Sequence, residues 1–250
     1  MVTPVHHSGS GAPQPVGRAA RTAFAANAGL AWLGVGLTLV ISAVGGYEPI
    51  PVVGNLYGTH PDGLAGAVSR VADTLSYFTI WSNVVVAISM TLLARAPERD
   101  SFARRVLRLD GLLMITITAI VYAVLLAPSA TVVGWSRLTD PMLHVVTPAV
   151  TVLVWLVFGP RRWISWRAVP AAMVLPLGWI AWMLARGAVV GAYPYDFADV
   201  GTRGYPAVAT TLAAILVFGV VVAAAFWALD TFVLRVTQGR GTSTSSVSPP

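Results

Sequence analysis

The chain has 250 residues, of which 56% are apolar and only 10% charged. A soluble domain carries about 25% charged residues, so this surface is not built for water, and the length suits one helical bundle with no second folded domain. Cysteine and lysine are absent, and every basic residue is an arginine. That excludes disulfides, thiolate metal sites, a cysteine nucleophile, lysine Schiff bases and a Walker phosphate loop.

Residues 1–17 are rich in Pro, Gly, Ser and His, carry no side-chain charge and cannot build a core. Together with the following turn they form an expected disordered cytoplasmic tail over 1–22; residues 233–250 form a second, and 23–232 form the membrane domain. His6 and His7 are too isolated to define a metal site, and no cofactor or metal is expected. Six segments reach or approach the roughly 20 residues that a helix needs to cross hydrocarbon: 24–44, 75–94, 110–127, 142–158, 169–186 and 207–229. The first is too long for a signal-peptide core and is expected to be retained. The fold class is therefore an all-α bundle of six transmembrane helices.

Orientation follows from the arginines. Arg18, Arg21, Arg95, Arg99, Arg104, Arg105, Arg108, Arg161, Arg162, Arg167, Arg235 and Arg240 fall on one side of an alternating thread, and only Arg70, Arg137, Arg186 and Arg203 on the other. The positive-inside rule then puts both termini in the cytoplasm, of a bacterial plasma membrane if the lysine-free, Ala/Val/Arg-rich usage is a guide. The inner arginines suit lipid headgroups rather than nucleic acid, so membrane lipids are the expected partners.

Chemistry is sought at the opposite, outer end. His144 is the one histidine inside an apolar segment, in Asp140-Pro-Met-Leu-His-Val-Val-Thr-Pro148. Asp140 is placed to cap the fourth helix with Pro141 at its first position, which puts His144 about 6 Å inside it. Pro148 donates no backbone hydrogen bond and loosens the turn at residue 144. Such a histidine can act as a general base or an ion ligand, or simply bond a neighbouring helix. The second helix enters from the same side, and its Thr79, Ser82 and Asn83 share one face. Counted from Asp73, Thr79 lies about 9 Å deep. Thr79 and His144 thus meet the first condition for a nucleophile and its base, although Ser, Thr and Asn in membrane helices also bond to the preceding turn. Asp196 and Asp199, after the fifth helix, can face the site, orient His144 or be solvated. Tyr122 offers a hydroxyl or an interfacial ring. No H-E-x-x-H helix or G-x-S-x-G elbow is present.

Three motifs in this order, Tyr77-Phe-Thr-Ile-Trp-Ser-Asn83, Leu143-His144 with Pro148, and Tyr193-Pro-Tyr-Asp-Phe-Ala-Asp199, resemble the Pr6Pr group of bacterial multi-pass proteins. That group is related to the eukaryotic androgen-induced membrane hydrolases, and the resemblance runs from about the second helix to the sixth. It implies cleavage of fatty-acid esters of hydroxy fatty acids or a similar lipid ester, with the nucleophilic threonine on Thr79, the histidine on His144 and the Tyr-Pro pair on Tyr193 and Pro194. A small-molecule transporter or a non-catalytic scaffold would use the same polar residues differently.

Overall fold

The computed structural model describes residues 17–49 and 54–242. Six helices are long and apolar enough to cross a membrane. Among the described residues there is no strand, only a single parallel bridge between Leu56 and Tyr193. His6 and His7 lie outside the described residues. Val157, Val217 and Val221 point outward, and only 28% of the apolar window of the fourth and sixth spans is buried. An aliphatic outer surface on this scale calls for lipid as solvent, and the chain is a multi-pass membrane protein.

α1 (Arg18–Ala43) packs along α3 (Phe78–Arg95). Their seam sets Phe24, Ala28 and Ala31 against Val86, Ala87 and Met90, and the alanines let the two backbones approach closely. Between them α2 (Ala67–Thr74) is a short helix at the bundle end. The second span therefore starts at Phe78, not at residue 75. α2 closes with Leu75 and Ser76 bonded back to Val71 and Asp73, and Tyr77 is extended. Asp73 does not extend the spanning helix; it is held by Arg186, at 2.5 Å, and by His60.

α4 (Phe102–Val121) is the central helix, touching α3, α6, α7 and α9. Its start falls well before the expected residue 110, so Arg104, Arg105 and Arg108 sit on its first two turns rather than in a connection. Ser101 accepts the Arg104 amide as N-cap, and the Arg104 guanidinium donates to the Leu92 and Ala96 carbonyls at the end of α3. Those carbonyls already accept the Ala96 and Arg99 amides, so Arg104 adds a charged donor at the C-terminal end of α3, where the helix dipole favours it. α4 continues through a wide turn over Tyr122–Leu126.

The fourth span starts at Ser136 rather than Met142. It comprises α5 (Ser136–Pro141), a wide turn (Met142–Val146) and α6 (Thr147–Phe158). Asp140 and Pro141 consequently lie inside the helix, and Asp140 is not its cap. α7 (Ala168–Ala172) and α8 (Val174–Val190) make the fifth span. α9 (Val200–Thr242) makes the sixth, bent where Gly204 takes φ 76° ahead of Pro206. It carries helix past residue 232, where a tail was expected. Six traverses bring Arg18 and the end of α9 to one end of the bundle; Thr79 and His144 lie toward the other.

Candidate active site

Thr79 is the second residue of α3 rather than about 9 Å inside a helix that starts at Asp73, and it is buried. Its Oγ1 lies 3.0 Å from His144 Nε2. The wide turn explains how α6 presents that ring. The Thr147 amide reaches back five residues to Met142 O, and in that register the Leu143 carbonyl would need the amide of residue 148. Residue 148 is proline, so the carbonyl is left over. Asn83 Nδ2 takes it at 3.3 Å and also donates to Thr79 O at 2.8 Å. One side chain thereby ties the histidine turn to the threonine turn.

Ser82 donates to Thr79 O and accepts from Thr118 of α4. Ser82 and Asn83 hold the backbone of Thr79 and fix α3 against its neighbours; neither hydroxyl nor amide points at the reactive pair.

The other imidazole nitrogen defines the tautomer. His144 Nδ1 sits 3.0 Å from Asp140 O and 3.1 Å from Asp140 Oδ1, with only acceptors before it. A neutral ring therefore carries its proton on Nδ1 and presents the Nε2 lone pair to the Thr79 hydroxyl. Tyr122 stacks on the imidazole, with centroids 4.1 Å apart and planes at 14°, and its hydroxyl donates to Asp140 Oδ2. Asp140, expected to cap a helix, instead orients the histidine from the preceding turn, and Tyr122 holds both.

Thr79 also lies on the wall of a narrow apolar cleft of about 50 Å³ between α4, α8 and α9. Leu113 and Ile117 line one side, Pro176 and Ile180 another, and Leu212 and Gly219 the third. From Leu212 to Gly219 the cleft follows α9 for about 10 Å. A more open groove between α4 and α6 borders His144.

The Tyr-Pro segment divides differently from expectation. Tyr193 turns away from the pair and lays its ring over Gly187, where any Cβ would lie 2.1 Å from it, while its backbone exchanges hydrogen bonds with Asn55 and Tyr57. Asp196 is exposed and paired with Arg203. Asp199 is buried as the cap of α9, accepting from Gly201, Thr202 and Asn55. Burial alone would raise its pKa, but these donors hold the carboxyl below the usual range. None of the three orients His144.

The tyrosine of this segment that faces the Thr79 side is Tyr195. It is 7% exposed and lines the same cleft as Phe78 and Thr79. Burial pushes its pKa up to about 12. Tyr77 and Tyr57 continue outward from it edge to face, with centroids 5.5 and 6.1 Å apart, and burial raises Tyr77 as well. In the sequence Tyr195 stands only inside the Tyr193–Asp199 motif, because alternate residues of a turn give no direction.

Among the described residues no group of three or more His, Asp or Glu side chains is arranged to hold a metal ion. No family model, curated protein or solved structure matches the chain.

Proposed function

We propose that the protein is an intramembrane hydrolase of lipid esters, with Thr79 as nucleophile, His144 as general base and Asp140 as the carboxylate that orients it. The observation that carries this reading is the 3.0 Å approach of Thr79 Oγ1 to an imidazole whose tautomer leaves Nε2 free to accept. The arrangement is the nucleophile–base–orienter logic of covalent acyl transfer. The apolar lining of the cleft beside Thr79 supports an acyl chain as the substrate class.

In the first step the Thr79 oxygen forms a bond to the ester carbonyl carbon as its proton passes to His144 Nε2, and the carbonyl electron pair moves onto oxygen. Collapse of that intermediate breaks the bond to the alcohol, which leaves with the proton from His144. Water then attacks the acyl-threonine through the same base, releasing the acid and restoring Thr79.

The same proposal places the site at the extracytoplasmic end, both termini in the cytoplasm and the chain in a bacterial plasma membrane, within or near the Pr6Pr group. The support for the sidedness is the excess of arginine at the opposite end. One observation favours a transport path instead: buried polar side chains continue inward from the pair through Asn83, Thr147, Thr151 and Asn27. All four are 0% exposed, which buries them between packed helices rather than along an open route.

Purified protein in micelles, assayed on a chromogenic long-chain ester, tests the hydrolase reading. Turnover is expected in the wild type and lost in both Thr79→Ala and His144→Ala. Turnover that survives Thr79→Ala contradicts it, and accumulation of an intact lipid ester in sealed vesicles without cleavage favours transport.

A further inference from the structure

Two recesses border the proposed catalytic pair. Thr79 lines the narrow cleft of about 50 Å³ between α4, α8 and α9. His144 lines the groove between α4 and α6, which at about 360 Å³ is much the larger. Neither residue lines the other recess, and α4 is the wall that both share. Yet the hydroxyl of the one lies 3.0 Å from the ring nitrogen of the other.

The groove has a direction and a chemistry. From His144 to Val152 it follows the fourth span inward for about 12 Å, so its far end lies in hydrocarbon. On its walls Ile120 and Val145 are 39% and 54% exposed, and Ala123 and Ala149 are exposed with them. The groove is therefore open along its side to the acyl region of the bilayer. Apart from His144 its lining holds no titratable side chain, and its one other polar side chain is Thr116. A charged group carried to its inner end would find no counter-charge.

We infer that the α4–α6 groove is the subsite for the alcohol half of the ester and takes a long, uncharged alcohol, while the acyl half occupies the cleft. This rests on Thr79 and His144 being the nucleophile and its base. The reaction gives each arm of the ester a side. When the tetrahedral intermediate collapses, the bond from the carbonyl carbon to the alcohol oxygen breaks, and its electron pair stays on that oxygen. The oxygen takes its proton from His144 Nε2, so it has to lie within hydrogen-bond reach of that nitrogen. The carbonyl carbon is by then bonded to Thr79 Oγ1. The alcohol arm thus begins at His144, where the groove begins, and the acyl arm begins at Thr79, on the wall of the cleft. Size supports the same division, since the cleft admits one slender chain and the groove a bulkier arm.

The test uses the full chain in mixed micelles and measures kcat/KM for palmitate esters that differ only in the alcohol, methyl or hexadecyl. Ala123→Trp and Ala149→Trp, at exposed positions of the groove wall, are assayed beside the wild type, and a thermal melt verifies that they fold. The wild type is expected to prefer the hexadecyl ester by about tenfold or more, because a held remote arm positions the bond that breaks. Each tryptophan fills the groove and should bring that ratio to within about threefold of unity. A further pair of substrates reads the charge: the palmitate ester of a hydroxystearic acid should be cleaved at least about tenfold more slowly as the free acid than as its methyl ester. A wild-type ratio near unity, or a preference that survives both tryptophans, overturns the inference and leaves the groove to bilayer lipid. Free acid cleaved as fast as its methyl ester overturns the uncharged class. In these cases Thr79-dependent turnover of methyl palmitate keeps the hydrolase reading standing; its absence from the wild type removes that reading and the subsite with it.

Discussion

Two histidine–aspartate pairs lie in the half of the bundle that holds the site, and they do different work. His144 and Asp140 are one helical turn apart on the fourth span, while His60 meets Asp73 from a loop. Asp73 also takes Arg186 at 2.5 Å, and Arg186 stacks over Tyr57, so that carboxylate binds α2, α8 and the 54–66 segment together. Asp140 serves one histidine whose far nitrogen faces a hydroxyl on a cleft wall. A His–Asp pair becomes chemical when its free nitrogen looks onto a nucleophile with room for a substrate; otherwise it is a clamp.

The largest effect is expected at the first pair. Thr79→Ala and His144→Ala should each lower ester turnover by about 10³-fold or more, measured as initial rates on micellar protein, with melting temperature little changed. The second pair should respond in the opposite sense. Arg186→Met leaves Asp73 partly buried without its cation and should cost about 3 kcal/mol of stability, read as a lower midpoint in thermal unfolding, while the protein that remains folded keeps its turnover. A turnover loss equal to that of His144→Ala would erase the distinction.

Asp140→Asn tests the orienting role. It keeps the shape but can donate to Nδ1, favouring the tautomer with the proton on Nε2, and should reduce turnover by roughly 10- to 10²-fold while the Asp140 backbone carbonyl still holds part of the geometry. The smallest effect belongs to Asp199, which caps α9 outside the reaction. Its pKa is depressed in the folded chain, so its contribution is complete above the unfolded value near 3.9 and is lost as pH falls through the lower folded value. Asp199→Ala should cost about 1 kcal/mol at neutral pH and flatten the acid limb of the unfolding midpoint against pH.

The sequence made the six spans legible because each apolar run is long and its flanks carry arginine or turn formers. Their edges were harder. The third helix begins at Phe102 because Arg104 caps α3 and Arg108 buries against Met90, whereas charge in a sequence reads as the end of a span. Thr79 and His144 were legible as residues of the right chemistry on the same side, and the structure brings them within hydrogen-bonding distance. Asp140 was read as a cap because Asp-Pro is a strong helix-start signal; the helix instead begins at Ser136 and the carboxylate is spent on His144. Tyr195 and Tyr193 differ only by which way a turn faces, and that is decided by Gly187 a few residues back and by Tyr77 and Trp179 farther away in the chain.

The most direct measurement is to find the acylated residue. Full-length protein is treated with a long-chain β-lactone, digested and mapped by mass spectrometry, beside the Thr79→Ala and His144→Ala variants. The account predicts a stoichiometric acyl adduct on the peptide containing Thr79, absent from both variants. An adduct on Ser82, Tyr195 or any other residue in the wild type, or labelling that persists in Thr79→Ala, would contradict it.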